Sequence, residues 1–524
     1  MNVAFDPWIP IVTTTGERKL ASLFSVLTEG GKFADLAVCP HERVSLMRLF
    51  VCVTHAALNG PKNYDEWCEV PIQLPEAVQK YLTDWKHSFE LFHRERPWLQ
   101  VAELSKDSDD QCSGTDAEDW TPVSKLNFSF ATGNNPTLFD HGGMGDDRLI
   151  SIGETVLSML TFQCFSPGGL ISQVNWNGKQ NGKSSKDGPC VSASMIHAFL
   201  RGKDLRGTIH LNLPTYDDVK FSYGDRDLGK PIWEMIPTSM VDSARIENAT
   251  TTYVGRLVPM TRLILLHPSG KRMLLGDGFV YPPFTEGFPP EPTATVVIRK
   301  NGNKKERVLL SYRPAKAFWR VLAAVVVQRN TEGVGGPLFL RAIQDGDEYD
   351  LVVAALARHQ ASIVDTAESV FHIPLRLRSA EGTATYESEV ITAESTASRL
   401  GRSIETYRQD IDGGWEIRLK GAGPSKGELK AKLHSIAITH YWTSVEKNLT
   451  LLMAHIESIG TANAIPTREA WRVMLFKAAC DAYRISCGQG TSRQMRAFAK
   501  GWQKLTATIG ESEADAQDTK GEDV

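Results

Sequence analysis

The feature that most limits the possible fold is a repeated helical pattern in the last quarter of the chain. Apolar residues there recur at alternating three- and four-residue spacing, which places them along one face of a helix. The pattern covers four segments, 390–411, 438–459, 471–485 and 495–505. Glycines stand between the segments, and Gly460 suits a left-handed helix end. Four amphipathic helices in succession predict a four-helix bundle over residues 385–508.

Residues 1–375 have a different character. They mix short β-branched runs with few convincing helices, of which 41–58 is the clearest. Asn301-Gly302 separates the apolar runs 296–298 and 308–310, a pattern typical of a β-hairpin. At 524 residues the chain also exceeds the size that one hydrophobic core supports. We therefore predict an α+β protein, in which a large mixed α/β N-terminal domain precedes the helical bundle.

Charge is unevenly distributed along the chain. The net charge is −4, yet residues 106–119 and 511–524 each hold six acidic side chains and one lysine. Both stretches have few large apolar residues, so we expect a solvated loop at the first and a disordered acidic tail at the second. The remaining chain carries about +6, which allows a polyanionic partner without requiring one.

The sequence shows no membrane, disulfide or metal signal. No segment reaches the ~18 consecutive apolar residues of a membrane span, and the first residues lack the basic and apolar regions of a signal peptide. The eight cysteines form no C-x-x-C pair. We expect a cytoplasmic protein with reduced thiols, no membrane contact, no metal and no cofactor.

Two segments resemble enzyme motifs but lack essential parts. The stretch 178–184 is one residue short of a phosphate-binding loop, and the residues after it do not predict the helix that would hold phosphate. Asp140 and His141 are adjacent, but no G-x-S-x-G or H-E-x-x-H motif accompanies them. We predict a protein that is not an enzyme. The alternative is an unrecognised hydrolase whose activity depends on Asp140 and His141.

Basic side chains form a stripe beside the apolar face of the last predicted helix. They recur at three- and four-residue steps and are Arg493, Arg496, Lys500 and Lys504. A solvated helix face is one interpretation of this stripe, and contact with nucleic acid or an acidic partner is the other.

Two loops, 128–136 and 165–172, combine phenylalanine with glycine, asparagine or serine. Glycine lets the backbone approach a sugar-phosphate edge, asparagine offers donors and acceptors, and phenylalanine can stack on an unpaired base. Either loop alone is an ordinary turn, so a functional interpretation depends on its combination with other segments.

Five segments together carry a recognisable order. They are Asp6-Pro7-Trp8-Ile9-Pro10-Ile11, Phe92 to Gln100, Asn134 to His141, Phe165-Ser166-Pro167-Gly168-Gly169 and Gln360-Ala361-Ser362-Ile363. In this order the chain resembles the CasA family, the large subunit of the type I-E CRISPR surveillance complex Cascade. The resemblance runs from residue 1 to about residue 508 and ends in a four-helix bundle, which the family also has.

The resemblance implies a non-catalytic subunit of an antiviral defence complex. Such a subunit lies at the 5′ end of the crRNA, recognises the protospacer-adjacent motif (PAM) in double-stranded DNA, initiates unwinding and R-loop formation, and recruits a helicase-nuclease. Its partners are the other Cascade subunits, the crRNA, the target DNA and the helicase-nuclease. The guide supplies sequence specificity, so the protein needs to read only a short motif.

The resemblance also implies site residues. The family's glutamine wedge, on a β-hairpin that separates the first base pair, aligns with Gln360 and Ala361. Its glycine loop, which reads the motif through the minor groove, aligns with Gly168 and Gly169. Its mobile loop, which reaches the crRNA 5′ handle, aligns with 128–135. The candidate contacts in that loop are Phe128, Phe130, Asn134 and Asn135.

One family feature has no match in this chain. The family's minor-groove lysine would fall near Pro282-Pro283, where the nearest basic residues are Lys271 and Arg272. The minor groove separates A·T from G·C more readily than it separates all four pairs, so a different motif preference is open to this chain. The alternative to the whole function is an RNA-binding or scaffold protein that does not itself open DNA.

Overall fold

The computed structural model describes residues 1–106, 120–130, 150–302, 304–342, 348–360, 362–412 and 426–507. The chain divides into two compact units, Met1–Ile373 and Pro374–Val524. The first unit mixes helices with small sheets and the second is helical, so the predicted α+β fold class is confirmed.

The helices of the first unit, within the described ranges, are α1 (Leu23–Glu29), α2 (Pro40–Leu58), α3 (Tyr64–Asp84), α4 (Ile152–Phe165), α5 (Leu205–Leu211), α6 (Tyr216–Tyr223), α7 (Ser243–Thr251), α8 (Tyr253–Leu257) and α9 (Leu322–Val326). Those of the second unit are α10 (Ala380–Asp412), α11 (Lys426–Lys447), α12 (Leu449–Glu457), α13 (Ala464–Ser486) and α14 (Ser492–Thr506).

The strands belong to the first unit and are β1 (Ile9–Thr13), β2 (Arg18–Ala21), β3 (Phe33–Leu36), β4 (Leu104–Ser105), β5 (Thr121–Pro122), β6 (Gly169–Leu170), β7 (Asn175–Trp176), β8 (Lys179–Gln180), β9 (Ser184–Ser185), β10 (Ile196–Arg201), β11 (Arg262–Leu266), β12 (Arg272–Asp277), β13 (Val296–Asn301), β14 (Lys304–Leu309), β15 (Tyr349–His359) and β16 (Ser362–Ile373). They form small antiparallel sheets of two or three strands, with the orders β2-β1-β3, β10-β15-β16, β11-β12-β5, β13-β14, β4-β7-β8 and β6-β9.

Helix α2, which the sequence predicted, is a central element of the first unit. Most of its side chains are buried, and it packs against α3, α4, α8 and β15. Burial of the charged Arg48 side chain would cost folding free energy if the guanidinium had no partners. Arg48 forms an ion pair of 2.7 Å with Glu291, whose second oxygen lies 2.6 Å from Arg256. This buried triad fixes α2 against the segments that carry Arg256 and Glu291.

The longest strand pair, β15 and β16, packs against α2. Strand β15 is buried along most of its length, while β16 is half-exposed. Arg43 of α2 donates to Glu368 of β16 at 2.8 Å, and Tyr312 donates to Asp365 at 2.7 Å. The hairpin is therefore fixed by packing and by polar contacts from its middle up to Asp365, while its tip lies at the exposed end.

The hairpin predicted around Asn301-Gly302 is confirmed. Strands β13 and β14 pair from Val296 with Leu309 to Asn301 with Lys304. Gly302 has φ +59°, a left-handed conformation that glycine adopts without steric cost.

The four helical segments predicted in the last quarter are also confirmed, with one difference. The second segment is divided into α11 and α12 at Asn448, whose φ of −116° and ψ of 20° interrupt the helix. The apolar faces of the predicted helices are mostly buried, but two of their residues, Ile485 and Met495, are 59% and 61% exposed. Both lie near helix ends, where the apolar face extends past the packed region.

Helices α10 and α14 lie close to each other at Gly501 of α14. A Cβ atom at Gly501 would lie 2.6 Å from the carbonyl oxygen of Ser403 and 2.0 Å from the hydroxyl of Tyr483. A larger side chain at this position would push α14 away from α10, so Gly501 sets the spacing within the bundle.

Candidate nucleic-acid interface

The predicted wedge residue Gln360 lies at the tip of the β15–β16 hairpin. His359 pairs with Ser362 at the end of the hairpin, and Gln360 directly follows His359. Gln360 is exposed and has φ +54°, a conformation that residues with a side chain seldom adopt. Ala361 lies outside the described residues. The turn therefore presents the Gln360 side chain at the end of a long, anchored hairpin.

A register shift separates the hairpin tip from the rest of the hairpin. The pairing is regular up to Ala357 with Asp365, and Arg358 then pairs with Ile363. A β-bulge of this kind bends a strand and redirects the residues beyond it. The direction of Gln360 is therefore set locally, by the residues next to the bulge.

The predicted glycine loop follows α4 directly. Gly169 opens β6 and pairs with Ser185 of β9, while the next residue, Leu170, is 95% exposed. A Cβ atom at Gly168 would lie 2.8 Å from the carbonyl oxygen of Ser185, closer than such atoms approach. Gly168 is thus required for the close approach of the two segments, which holds Leu170 outward.

A single carboxylate connects the glycine loop to the hairpin. Asp187 accepts a 2.8 Å hydrogen bond from the backbone N–H of Gly168 through Oδ1. Its Oδ2 pairs with Nη2 of Arg358, the residue beyond the bulge. Arg358 in turn donates from Nη1 to the carbonyl oxygen of Gln360 at 3.0 Å. Two sites predicted separately from the sequence are therefore joined by side-chain contacts.

A buried arginine supports the glycine loop from inside the first unit. Arg262 donates to the carbonyl oxygens of Pro167 at 2.8 Å and Lys186 at 3.1 Å. Burial lowers the pKa of Arg262 to about 10, which still leaves the guanidinium charged at neutral pH. Arg262 therefore holds the glycine loop and the segment with Asp187 in a fixed relation.

A cleft of about 330 Å³ runs beside the glycine loop. Gly168, Lys186 and Asp187 line it, together with Pro282 and Pro283. The two prolines occupy the position where the resemblance would place a lysine, so the departure seen in the sequence falls on the cleft itself. Lys186 supplies an exposed lysine there.

The two basic residues nearest the prolines in the sequence lie at another place. Lys271 lies in the turn before β12, and Arg272 is the first residue of that strand. Arg272 donates to the carbonyl oxygen of Trp120 at 3.2 Å.

The loop assigned to the crRNA handle is only partly described. Phe128 packs inward, with its ring centroid 5.5 Å from that of Phe162 and 5.8 Å from that of His41. Ser129 donates its backbone N–H to Asn127 at 2.8 Å, and Phe130 is half-buried. Asn134 and Asn135 lie outside the described residues, so the geometry of this loop beyond Phe130 stays a prediction.

The basic stripe of α14 faces the end of α10. Arg496 donates to Asp410 at 3.0 Å, Lys500 contacts the other oxygen of the same carboxylate, and Arg493 donates to the carbonyl oxygen of Ile411. Cations near a helix C-terminus interact favourably with its dipole. Lys504, the fourth member, is exposed. Three of the four basic residues thus have contacts within the bundle.

The segment that resembled a phosphate-binding loop forms strands. Residues 179–180 are β8, and Ser184 begins β9, which pairs with β6. A strand after the loop supplies no helix N-terminus for phosphate, as the sequence indicated. Asp140 and His141 lie outside the described residues.

One group of metal-ligating side chains was missed by the sequence analysis. His87, Glu90 and His93 bring their ligand atoms within 4.8 Å of one another. Nδ1 of His93 accepts backbone N–H groups of Glu95 at 3.2 Å and Arg96 at 3.1 Å. A neutral imidazole with Nδ1 used as an acceptor carries its proton on Nε2 and has no lone pair left for a metal. This geometry favours a loop hydrogen-bonding role for His93.

Among the described helices, none is both long and apolar enough to cross a membrane.

Known proteins match this chain over almost its whole length. Residues 2–482 match the family described as CRISPR-associated protein Cse1. A protein named CRISPR-associated protein CasA/Cse1 from Thermus thermophilus is 26% identical over 537 residues, covering 97% of each chain. A crystal structure of CasA from Thermus thermophilus has a TM-score of 0.74 at 22% identity and covers 98% of this chain and 99% of its own. A chain of a CRISPR RNA-guided surveillance complex has a TM-score of 0.72 at 17% identity, with 97% and 99% covered.

Proposed function

Because the chain belongs to the CRISPR-associated Cse1 family, named CasA in the resemblance drawn from the sequence, we propose that it is the non-catalytic large subunit of a type I-E Cascade complex. In this proposal it recognises the PAM in double-stranded DNA and initiates unwinding and R-loop formation. The observation that carries the proposal is the contact of Asp187 with both Gly168 and Arg358. This contact supports the proposal because it joins Gly168 of the glycine loop to Arg358, which is two residues from Gln360.

The hairpin suits separation of the first base pair. Proteins open or kink a duplex by inserting side chains at a base step, at a cost of about a few kcal/mol per step. The wedge must therefore be held against a restoring force. The hairpin is fixed below its tip by Arg43 on Glu368 and by Tyr312 on Asp365, and Gln360 stands exposed at the tip.

The glycine loop suits contact with a groove edge. Its backbone lies beside the cleft, and Leu170 extends outward with 95% of its surface exposed. A backbone loop can enter the narrow minor groove, whose donor and acceptor pattern is degenerate. Short contacts of this kind are enough, since exchange of a DNA duplex for a guide heteroduplex is nearly balanced in free energy.

The partners follow from the same proposal. The crRNA 5′ handle would meet the loop that begins at Phe128, with Phe130, Asn134 and Asn135 as candidate contacts. The other Cascade subunits and a helicase-nuclease, which the chain would recruit, are the protein partners.

The test compares duplex opening by complexes reconstituted with wild-type chain, Gln360→Ala and Gln79→Ala. Gln79 is exposed on α3, so its variant makes the same chemical change on a surface away from the hairpin. We expect Gln360→Ala to reduce R-loop formation and leave assembly with the crRNA intact, and Gln79→Ala to change neither. Equal R-loop formation by all three would favour the RNA-binding or scaffold alternative.

A second test addresses motif reading. Gly169→Asp adds charge and bulk at the glycine loop, and we expect it to abolish preferential binding to motif-bearing duplex. Gly178→Asp is the matched control, because Gly178 lies in another turn, has φ +75° and would give a Cβ atom no neighbour within 4 Å. Loss of motif preference in both variants would indicate a general charge effect and count against this loop as the reader.

A further inference from the structure

We propose that Asp187 is a positioning residue that couples the glycine loop to the wedge hairpin, so that DNA contact at the loop sets the position of Gln360. This inference rests on the proposed function and adds a role for a residue that neither the sequence patterns nor the resemblance indicated. Its basis is the contact of one carboxylate with Gly168 through Oδ1 and with Arg358 through Oδ2.

The first step is that the glycine loop and Asp187 move together. Gly188 donates its backbone N–H to the carbonyl oxygen of Ser166 at 2.8 Å, and Ser185 donates its hydroxyl to the carbonyl oxygen of Gly169 at 3.2 Å. Arg262 holds carbonyl oxygens on both segments. Displacement of the loop by DNA would therefore displace Asp187 as well.

The second step is that Arg358 passes this displacement to the tip. Its side chain joins Asp187 to the carbonyl oxygen of Gln360, and its backbone N–H donates to the hydroxyl of Ser194 at 3.1 Å. The register shift between Ala357 and Arg358 separates these contacts from the regular pairing below. The tip can thus follow Arg358 without disrupting the buried part of the hairpin.

The charge of Asp187 supports a positioning role. The residue lines the cleft beside the glycine loop, and a carboxylate there repels the phosphates of any DNA that enters. A residue whose only role was to bind DNA would carry the opposite charge. The Asp187 carboxylate instead contacts two protein groups, the backbone N–H of Gly168 and the guanidinium of Arg358.

The experiment is a double-mutant cycle with Asp187→Asn, Arg358→Gln and the double variant in the reconstituted crRNA complex. Two quantities are measured: affinity for a motif-bearing duplex without guide complementarity, and the opening rate of a bound, guide-matched duplex, followed by 2-aminopurine at the first target base pair. Asn keeps the shape of Asp and can still accept from Gly168, but its amide end cannot accept from Arg358.

We expect Asp187→Asn to leave motif affinity within about twofold of wild type and to slow opening about tenfold, with the double variant no slower than Arg358→Gln alone. Additive slowing would show that Asp187 and Arg358 act independently, and unchanged opening in Asp187→Asn would overturn the coupling. If Gln360→Ala slows opening while Asp187→Asn does not, the proposed function stands and only the coupling fails. If the wild-type complex neither prefers a motif nor opens DNA, both fail.

Discussion

Nη1 of Arg358 donates a 3.0 Å hydrogen bond to the carbonyl oxygen of Gln360, two residues further along the hairpin. This contact holds the carbonyl group of a glutamine with φ +54°, a conformation that glycine adopts more readily. The turn itself would tolerate glycine, so backbone geometry does not explain the glutamine. Its exposed side chain is the feature that a glycine would remove, which fits the role of a wedge.

The variant Gln360→Gly separates the turn from the side chain. Glycine relieves the left-handed strain but adds freedom to the unfolded chain, and these effects are each about 1 kcal/mol and opposite in sign. We expect the free energy of unfolding to change by less than about 1 kcal/mol, while R-loop formation falls as it does in Gln360→Ala. Denaturant unfolding and R-loop assays measure the two quantities. Full R-loop formation by Gln360→Gly would show that the side chain is not the wedge.

The variant Gly168→Ala tests the close approach of the glycine loop to β9. Its Cβ atom would lie 2.8 Å from the carbonyl oxygen of Ser185 and 3.1 Å from Oδ1 of Asp187. We expect a loss of about 1–3 kcal/mol in stability from the steric conflict, and weaker binding to motif-bearing duplex. Gly207→Ala is the control, because its Cβ would meet no atom closer than 3.5 Å. Equal motif binding by both variants would contradict the assignment.

The variant Lys500→Gln tests the role of the basic stripe. The hydrogen bond from Lys500 is the main cause that lowers the pKa of Asp410. A carboxyl group whose pKa is lowered on folding stabilises the folded chain when the pH is above the ordinary pKa, near 4. This contribution is lost as the pH falls through the lowered pKa of the folded state. We expect Lys500→Gln to lower the unfolding temperature at pH 7, and its difference from wild type to shrink as the pH falls below about 4.

The matched variant for the stripe is Lys504→Gln, which removes an exposed lysine one helical turn further along α14. We expect no change in unfolding temperature from it. A similar loss of nucleic-acid affinity in Lys500→Gln and Lys504→Gln, with a reduced salt dependence, would instead identify the stripe as a binding surface.

The variant Glu291→Gln tests the buried triad that anchors α2. Burial raises the pKa of Glu291, but Arg256 and Arg48 lower it more, to about 2. Removal of the charge leaves two buried arginines without their anion, so we expect a loss of about 3–5 kcal/mol in stability at pH 7.

The pH dependence of the wild-type chain has a matching sign. The contribution of Glu291 is fully present above its ordinary pKa of about 4.3 and is lost as pH falls toward 2. Urea unfolding at pH 5 and pH 3 should therefore show a smaller decrease in Glu291→Gln than in wild type. An equal decrease in both proteins would contradict the assigned ionisation.

The sequence predicted elements whose signal is local. The apolar spacing of 390–411 and 471–485 located α10 and α13, and Asn301-Gly302 located the β13–β14 hairpin. The break at Asn448 was not predicted, because the apolar period continues through it. The exposure of Met495 was also not predicted, since periodicity does not indicate where a neighbouring helix stops.

The site depended on contacts between distant residues, which local patterns do not contain. Asp187 and Arg358 are 171 positions apart, and nothing in either segment indicates the other. The spacing of Arg496 and Lys500 located a helix face, but not the Asp410 carboxylate 86 and 90 positions away. Gln360 and Gly168 came from the resemblance alone, and the structure added the contacts that join them.

The most direct measurement of the central claim is R-loop formation on supercoiled plasmids that carry a guide-matched target beside a randomised flank. The crRNA complex is reconstituted with and without this chain, and the flanks of opened plasmids are sequenced. We predict that opening requires the chain and that the opened plasmids share a short flanking motif. Equal opening without the chain, or opened plasmids with random flanks, would contradict the proposal that this protein reads a motif and starts unwinding.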